Sequence, residues 1–249
     1  MMPATYKLKY WPTIPGRGEY VRLAFRAANV AFSDDDDVSE LKSFITPRAG
    51  HFAPPVLEVE ENGKKFSLSQ TPAILAYLAP RLGLAGDGSE EDRAAVNAIT
   101  LTILDLSNET HDTHHPIATS LYYEDQKSEA KSRAHDFRQN RVPKFFGHFA
   151  KLVSENPTKS GLLHGDKVTT ADLTLFQVVE GLTYAFPKYI KSLTASSKAA
   201  SQVAPVFALR DKVAQHPALV KYLNSKDRRE FNEYGLFRHY AELDSEYEE

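Results

Sequence analysis

The chain has 249 residues, which is enough for one large domain or two small ones, with a core that needs no disulfide or metal to hold it. Its 30 Lys and Arg residues against 33 Asp and Glu give a net charge of −3, so a nucleic-acid partner is not expected. The absence of cysteine excludes disulfides, thiolate metal ligands and cysteine nucleophiles. No apolar run has the length of a signal peptide or a membrane span, so we expect a cytoplasmic protein without a membrane partner.

The first part of the chain is predicted to alternate between strands and helices. The predicted strands are residues 6–11, 30–32, 54–59 and 65–68, and the predicted helices are residues 18–30, 41–45 and 71–78. Asn62–Gly63 is a strong signal for a hairpin turn between the last two strands. Thr71 is predicted as the N-cap of the third helix, with Pro72 at its first position. The acidic run 34–37 is expected to be a solvated loop. This order indicates a mixed α/β sheet with parallel pairing.

The remainder of the chain is predicted to be helical. Residues 82–89 are rich in glycine and read as a linker. The chain is predicted to be helical from residue 90 onward, with a charged helix over about residues 124–152, a last helix over about 206–223 and a buried helix that begins at the capping box Thr169–Asp172. The tail from residue 226 carries aromatic residues about three apart, and we expect it to pack back on the body. Those aromatic residues are Phe231, Tyr234, Phe237 and Tyr240.

Three stretches in this order resemble the cytosolic glutathione S-transferases. Residues 10–12 (YWP) with 16–19 (GRGE) are similar to the opening of the tyrosine-type mu, pi and sigma classes. Residues 54–58 (PPVLE) with 68–74 (LSQTPAI) are similar to the core of the family's glutathione-binding domain. Residues 165–172 (GDKVTTAD) are similar to the family's helix-capping signature.

This resemblance implies a glutathione transferase fold. It predicts a thioredoxin-like α/β domain over residues 1–82, a linker over 83–90 and an all-α domain over 91–249 with the electrophile pocket and the tail. It also implies glutathione as co-substrate, a hydrophobic electrophile or a peroxide as second substrate, and a homodimer with the first helix of the helical domain at the interface. Some classes lend an acidic side chain from the partner subunit to glutathione, and Asp105 is the nearest acid on this helix.

The resemblance assigns Tyr10 as the catalytic hydroxyl, with Arg17 beside it. A free thiol has a pKa of ~8.5 and is mostly protonated at neutral pH. A hydrogen bond to a charged group contributes about 1.5–3 kcal/mol, which nearly suffices to lower that pKa by about two units. From the residues alone, Tyr10 can equally be a half-buried strand aromatic, with Tyr6 as the alternative hydroxyl. Arg17 can equally be a surface arginine at a helix start.

The resemblance also places a set of residues around glutathione: Tyr10, Trp11, Lys42, Pro54, Pro55, Gln70 and Thr71. Pro55 matches the family's cis-proline, although Pro54 before it has no N–H to offer the ligand. Lys42 is spaced like the lysine that binds the glycyl carboxylate, with Arg48 and His51 as rivals. Thr71 stands at a helix N-terminus, which is either an anion site for the γ-glutamyl end or a plain cap.

The remaining candidates lie in the helical part. His111 and His115 are one helical turn apart, and the resemblance implies that they line the electrophile pocket, together with Tyr122. The alternatives for the histidines are residues favoured by the helix dipole or a metal site, and no metal is expected. Thr169 and Asp172 are assigned a structural capping role.

Two alternatives to a transferase stay open at this point. One is a non-catalytic transferase-like binding or regulatory protein, favoured by the missing Pro54 N–H. The other is a glutathione-dependent isomerase of the sigma type. A cysteine-type disulfide reductase is excluded because the chain has no cysteine.

Overall fold

The N-terminal part is built on a four-stranded sheet. In the computed structural model, which describes residues 4–46, 50–195 and 197–245, the strands are β1 (Thr5–Lys9), β2 (Ser33–Asp35), β3 (Val56–Glu61) and β4 (Lys64–Ser69). Their order across the sheet is β2-β1-β3-β4. Strand β1 pairs parallel with β2 and antiparallel with β3, and β3 pairs antiparallel with β4 through the Asn62–Gly63 turn. The predicted mixed sheet and its hairpin are confirmed.

Three helices accompany this sheet: α1 (Gly18–Ala27), α2 (Val38–Phe44) and α3 (Thr71–Arg81). The core of this part brings together apolar side chains of α1, α3 and the two central strands: Leu8, Val21, Phe25, Leu57, Val59, Ile74 and Leu78. Because successive strand residues point to opposite faces, Lys9 lies on the side away from Leu8. There its ammonium nitrogen lies 5.0 Å from the centre of the Phe44 ring of α2.

The C-terminal part is helical. Its helices are α4 (Glu90–Asp112), α5 (Lys127–Asp136), α6 (Val142–Glu155), α7 (Thr170–Ala185), α8 (Pro187–Ala195), α9 (Ser197–Ala214) and α10 (Pro217–Leu223). Helix α7 is buried along most of its length and forms the centre of this part. The proposed linker, residues 83–90, lies between α3 and α4 and ends on the first residue of α4. Among the described residues, no helix is both long and apolar enough to cross a membrane.

The prediction of a solvated loop holds only for the second half of the acidic run, residues 36–37, which are exposed and lie outside any strand. Strand β2 begins at Ser33 rather than covering residues 30–32, and the run contributes to it. Asp34 accepts a hydrogen bond of 2.7 Å from Arg22, and Asp35 accepts one of 2.6 Å from Lys9. Asp37 caps α2 by accepting the N–H groups of residues 39 and 40. The carboxylates have partners in the fold, and this offsets the mutual repulsion that suggested a loop.

Two predicted long helices are interrupted. Residues 124–152 divide into a short 3-10 helix, α5, a π-helical segment over Phe137–Arg141, and α6. Pro143 is the second residue of α6 and cannot donate to a preceding carbonyl, so the regular ladder is broken there. Pro217 has the same effect between α9 and α10. Helix α8 was not predicted, and α9 begins earlier than residue 206.

The tail packs on the body, as predicted. Phe237 is 2% exposed, and its ring occupies the space that a side chain at Gly181 of α7 would need. Phe231 stacks on Tyr184 with ring centroids 5.3 Å apart. Tyr234 differs, because it is 81% exposed. The tail also crosses to the N-terminal part, where the Asn232 amide donates to the carbonyl of residue 13 over 3.0 Å.

Candidate active site

Tyr10 follows β1 directly and lies under the loop that leads into α1. Its side chain is 5% exposed. The hydroxyl oxygen accepts a hydrogen bond of 2.8 Å from the backbone N–H of Arg17. The oxygen is therefore held in place, while its own O–H remains available to donate to a ligand. A phenol whose oxygen is held in place and whose O–H can still donate a hydrogen bond can stabilise an anion placed beside it.

Two glycines let this loop approach the ring of Tyr10. A Cβ added to Gly18 would lie 2.7 Å from Cγ of Tyr10, which is closer than real contacts allow. A Cβ on Gly16 would overlap the hydroxyl end, and Gly16 has a φ of +46°, which also favours glycine. The GRG sequence therefore lets the loop close over the aromatic ring.

The hydroxyl of Tyr10 is protonated at neutral pH. Burial raises its pKa above the ordinary value of 10.0, and the N–H and charge of Arg17 and the charge of Arg22 offset only part of that effect. The Arg22 guanidinium carbon lies 5.7 Å from the centre of the ring. A protonated hydroxyl acts on a thiolate as a hydrogen-bond donor, not as a base.

The Arg17 side chain connects this loop to α4. Its guanidinium donates to the Asn108 amide oxygen over 2.9 Å. One turn further along the helix, the charge of Arg17 contributes to lowering the pKa of His111. A second link between the two parts is the 2.7 Å hydrogen bond between the hydroxyls of Tyr20 and Ser107. The structure thus brings Tyr10, Arg17 and the C-terminal half of α4 to one side of the molecule.

The residues assigned to the backbone of glutathione lie at the start of β3. The Pro54–Pro55 peptide bond is cis, as the resemblance implies. Pro54 is half-buried and Pro55 is buried. Pro54 has a carbonyl but no N–H, so it can accept one hydrogen bond from a ligand backbone and return none.

The N-terminus of α3 differs from the prediction. Gln70 is the N-cap, with a φ of 71° and no hydrogen bond from its side chain to the helix, and Thr71 is the first helical residue. Thr71 is 2% exposed, and its hydroxyl oxygen has no hydrogen-bond partner among the described residues. The first turn of a helix leaves backbone N–H groups free, and such groups can bind a carboxylate.

The candidates for the glycyl end are spread more widely. Lys42 is exposed in the last turn of α2. His51 is engaged with β4, since its ring nitrogens lie 2.9 Å from the hydroxyl of Ser69 and 2.7 Å from that of Ser67. Arg48 lies outside the described residues. Trp11 is half-buried in the loop after Tyr10.

Three histidines meet at the end of α4. His111 and His115 stack with ring centroids 4.8 Å apart, and His114 lies 4.9 Å from the first and 4.8 Å from the second. Burial, with the charges of neighbouring groups, lowers the pKa of His111 to about 3, and burial lowers that of His114 to about 2. The pKa of His115 is also lowered by burial. The cluster is therefore uncharged at neutral pH.

Tyr122, which the sequence assigns to the same pocket, has a different setting. Its side chain is 77% exposed. The next residue, Tyr123, is the one that packs inward, and it stacks on Tyr240 of the tail at 3.8 Å.

The capping box at the start of α7 is confirmed. Asp172 is fully buried and accepts hydrogen bonds from the N–H of Leu163 (2.9 Å), the N–H of Thr169 (2.8 Å) and the hydroxyl of Thr169 (2.7 Å). These bonds fix the loop before α7 as well as the helix start. The geometry supports the structural role assigned to both residues.

Sequence reasoning missed Asn108 and His114 at this site. Asn108 lies three residues before His111 and so shares its helix face, and this spacing could have identified it from the sequence. His114 does not fit the spacing of four residues used for His111 and His115. It joins them because α4 ends at Asp112 and the following turn folds back, with the His114 N–H donating to the His111 carbonyl over 3.2 Å.

Comparison with known proteins finds one family to which this chain is similar. A sequence model described as "Glutathione S-transferase, C-terminal domain" matches residues 111–226. S-crystallin 4 of Enteroctopus dofleini is 25% identical over 231 residues, which cover 92% of this chain and 100% of that protein. A probable glutathione S-transferase of Caenorhabditis elegans is 26% identical over 229 residues, covering 87% of this chain and 95% of that one.

A solved structure shows a similar architecture over most of the chain. Monomeric Na-GST-3, a glutathione S-transferase from the hookworm Necator americanus, superposes with a TM-score of 0.65 at 26% identity, covering 91% of this chain and 100% of that one. The mixed sheet with its helical C-terminal part is the glutathione transferase fold. In sequence and in fold, the chain is similar to the cytosolic glutathione S-transferases.

Proposed function

We propose that the protein is a glutathione transferase in which Tyr10 stabilises the glutathione thiolate for attack on a hydrophobic electrophile or a peroxide. The observation that carries this proposal is the Tyr10 hydroxyl, whose oxygen is anchored by the Arg17 N–H and whose proton is retained. A donor fixed before the ligand arrives needs no reorganisation when charge develops on sulfur. Its hydrogen bond to the thiolate is worth about 1.5–3 kcal/mol, or roughly one to two units of thiol pKa.

The remainder of glutathione is anchored along β3 and α3 in this proposal. The γ-glutamyl carboxylate binds at the start of α3, where the unpartnered Thr71 hydroxyl supports an anion site and Gln70 flanks it. The Pro54 carbonyl accepts the N–H of the cysteinyl residue. Lys42 binds the glycyl carboxylate, and Trp11 lies beside the peptide. Because Pro54 donates nothing in return, we expect weaker binding than a residue with an N–H would give.

The electrophile pocket is proposed beside Tyr10, between the loop of Arg17 and the end of α4. His111 and His115 form its polar wall, and the tail bounds it through the Leu236 carbonyl, which accepts from His114 over 3.0 Å. Uncharged imidazoles are compatible with a hydrophobic second substrate. We leave Tyr122 out of this pocket because its side chain is exposed.

A homodimer is proposed with α4 at its interface. The exposed positions of this helix include Ala94, Ala98 and Leu101, which are three to four residues apart and therefore form an apolar stripe. Asp105 is exposed on the same stripe, and it is the acid proposed to meet the amino group of a glutathione molecule in the partner subunit. The hookworm relative is described as monomeric, so this assembly needs its own test.

A non-catalytic role is the second candidate. It is favoured by the match to S-crystallin 4 over that protein's full length and by the missing N–H of Pro54. The isomerase alternative stays a prediction.

Isothermal titration of glutathione, together with an aryl-halide conjugation assay, separates these functions. The transferase proposal predicts that wild type and Tyr10→Phe both bind glutathione and that turnover falls about 10- to 100-fold in the variant, the loss of one charged hydrogen bond. Tight binding without turnover in the wild type would favour the non-catalytic role. No binding would contradict the proposed glutathione site.

A further inference from the structure

The three histidines at the end of α4 have the composition of a metal site, and we propose that His111, His114 and His115 bind one divalent zinc-like transition-metal ion. Each offers one ring nitrogen, and the three nitrogens lie within 4.8 Å of one another. Imidazole is a preferred ligand of zinc and its neighbours in the first transition row. The sequence predicted no metal here, and His114, which the helical spacing did not include, changes that expectation.

The hydrogen bonds around the cluster set the tautomers that metal binding requires. Nε2 of His114 lies 3.0 Å from the Leu236 carbonyl, which can only accept, so Nε2 carries the proton and Nδ1 carries a lone pair. Nδ1 of His115 lies 3.1 Å from the Leu121 carbonyl, nearer than the Gln126 amide nitrogen at 3.4 Å, so Nδ1 carries the proton and Nε2 carries the lone pair. Metal-bound histidines usually donate their other N–H to a carbonyl or carboxylate in this way.

The lone pair on Nδ1 of His114 is not engaged by the described residues. His114 is 1% exposed, and its Nδ1 has no hydrogen-bond partner among the described residues. Buried polar atoms are nearly always paired, so an unpaired acceptor beside two other imidazoles points to a ligand that supplies the missing interaction. A cation accepts the lone pairs of all three rings at once.

The geometry permits closure around an ion with small movements. A tetrahedral zinc at 2.0–2.1 Å from each nitrogen needs nitrogen–nitrogen distances of about 3.3 Å. His114 is held by burial and by the tail, whereas His111 and His115 are only half-buried and can rotate toward it. Three protein ligands leave a fourth position for water or another small ligand.

Some of the surrounding charges oppose the binding of a cation, and one favours it. Arg17 and Arg238 lie near enough to affect the histidines and oppose a cation. The Asp112 carboxylate, 3.9 Å from Nδ1 of His111, offsets part of this and can orient that ring. We therefore expect an affinity below that of a structural zinc site, which motivates a direct measurement.

The test is a titration of untagged, chelator-treated protein with zinc chloride, measured by calorimetry in the absence of glutathione. We expect one equivalent to bind, and binding to weaken at least tenfold in His111→Ala and in His115→Ala. His148→Ala, which removes an exposed histidine of α6, is the matched control and should bind like the wild type. Cobalt(II) should show the visible absorption of a tetrahedral nitrogen-rich site in the wild type and lose it in both variants.

The results that would overturn the proposal are distinct from failure of the transferase function. Absence of stoichiometric zinc binding, or equal binding by the wild type and the His111→Ala/His115→Ala double variant, would remove the metal site. Circular dichroism of each variant confirms that it is folded. His114→Ala is avoided because that side chain also anchors the tail. Glutathione binding, measured separately, bears only on the proposed function.

Discussion

The close contact between Gly18 and Tyr10 makes this glycine the most sensitive small residue near the proposed sulfur site. In Gly18→Ala, the new methyl group would lie 2.7 Å from Cγ of Tyr10, so the ring or the loop must move. We expect a loss of about 1–3 kcal/mol in the free energy of unfolding, as for other overpacked sites. We also expect conjugation activity to fall because the hydroxyl is displaced. Urea unfolding and the conjugation assay measure the two effects.

The matched control is Gly147→Ala. Gly147 is exposed within α6, and a Cβ there meets nothing within 4 Å. An alanine in a helix interior is favoured over glycine by up to about 1 kcal/mol, so this variant should be as stable as the wild type or more stable. Equal behaviour of the two variants would show that the loop does not depend on contact with Tyr10.

At the scale of elements, Lys9 holds β1, β2 and α2 together. Its side chain is 1% exposed, and its ammonium group contacts the carboxylates of Asp35 at 2.6 Å, Glu58 at 3.4 Å and Glu40. Burial alone would lower the pKa of Lys9, but these partners raise it above the usual value. Lys9→Met leaves the acids without their cation. We expect a loss of about 1–3 kcal/mol in unfolding free energy, below the figure for a fully buried pair because the acids are partly exposed.

The loss of unfolding free energy in Lys9→Met should depend on pH. Partial burial is the largest single effect and raises the pKa of Asp35, but the hydrogen bonds from Lys9 and from the Asp37 N–H together with the charge of Lys9 outweigh it, so the pKa of Asp35 in the folded chain lies below 3.8. The stabilisation from Asp35 is complete above that value and disappears as the pH falls through the lowered pKa. The difference between wild type and Lys9→Met should therefore shrink below about pH 4. Lys7→Met, which removes a lysine 44% exposed and 3.7 Å from the same carboxylate, should cost less than about 1 kcal/mol at any pH.

The capping box of α7 gives a second prediction at this scale. Asp172→Ala leaves two buried N–H groups and the Thr169 hydroxyl without their acceptor. We expect a loss of about 2–4 kcal/mol in unfolding free energy, whereas the specific activity of the folded protein changes little. Asp166→Ala, an exposed acid in the same loop, should stay within about 0.5 kcal/mol of the wild type. A stable but inactive Asp172→Ala protein would mean that Asp172 has a catalytic role.

The elements that the sequence predicted well are those fixed by local chemistry. The Asn62–Gly63 hairpin, the Thr169–Asp172 capping box and the strand–helix order all depend on residues close together in the chain. The errors came from distant partners. Asp34 and Asp35 belong to a strand because Arg22 and Lys9 neutralise them, and neither contact is visible in a periodicity. At the site, Tyr10 and Arg17 are close in the sequence, whereas Asn108 meets Arg17 only through the packing of α4, and His114 joins His111 through the turn after that helix.

At the scale of the whole molecule, the apolar stripe on α4 predicts the assembly. In Leu101→Glu a charge replaces a leucine that is 40% exposed on that stripe. We expect the wild type to sediment as a dimer and the variant to dissociate, with at least a tenfold weaker dimer. Val220→Glu changes an apolar residue of similar exposure, 43%, on α10 and should leave the dimer intact. A monomeric wild type, or a dimer unaffected by Leu101→Glu, would place the interface elsewhere or remove it.

The central claim is that the Tyr10 hydroxyl lowers the pKa of the bound glutathione thiol. The most direct measurement is a pH titration of thiolate absorbance for glutathione bound to the wild type and to Tyr10→Phe, each saturated with ligand. We predict a thiol pKa of about 6.5–7.5 in the wild type and a return toward ~8.5 in the variant, with glutathione affinity changed by less than about threefold. Identical titrations in the two proteins would contradict the account and show that another group ionises the thiol.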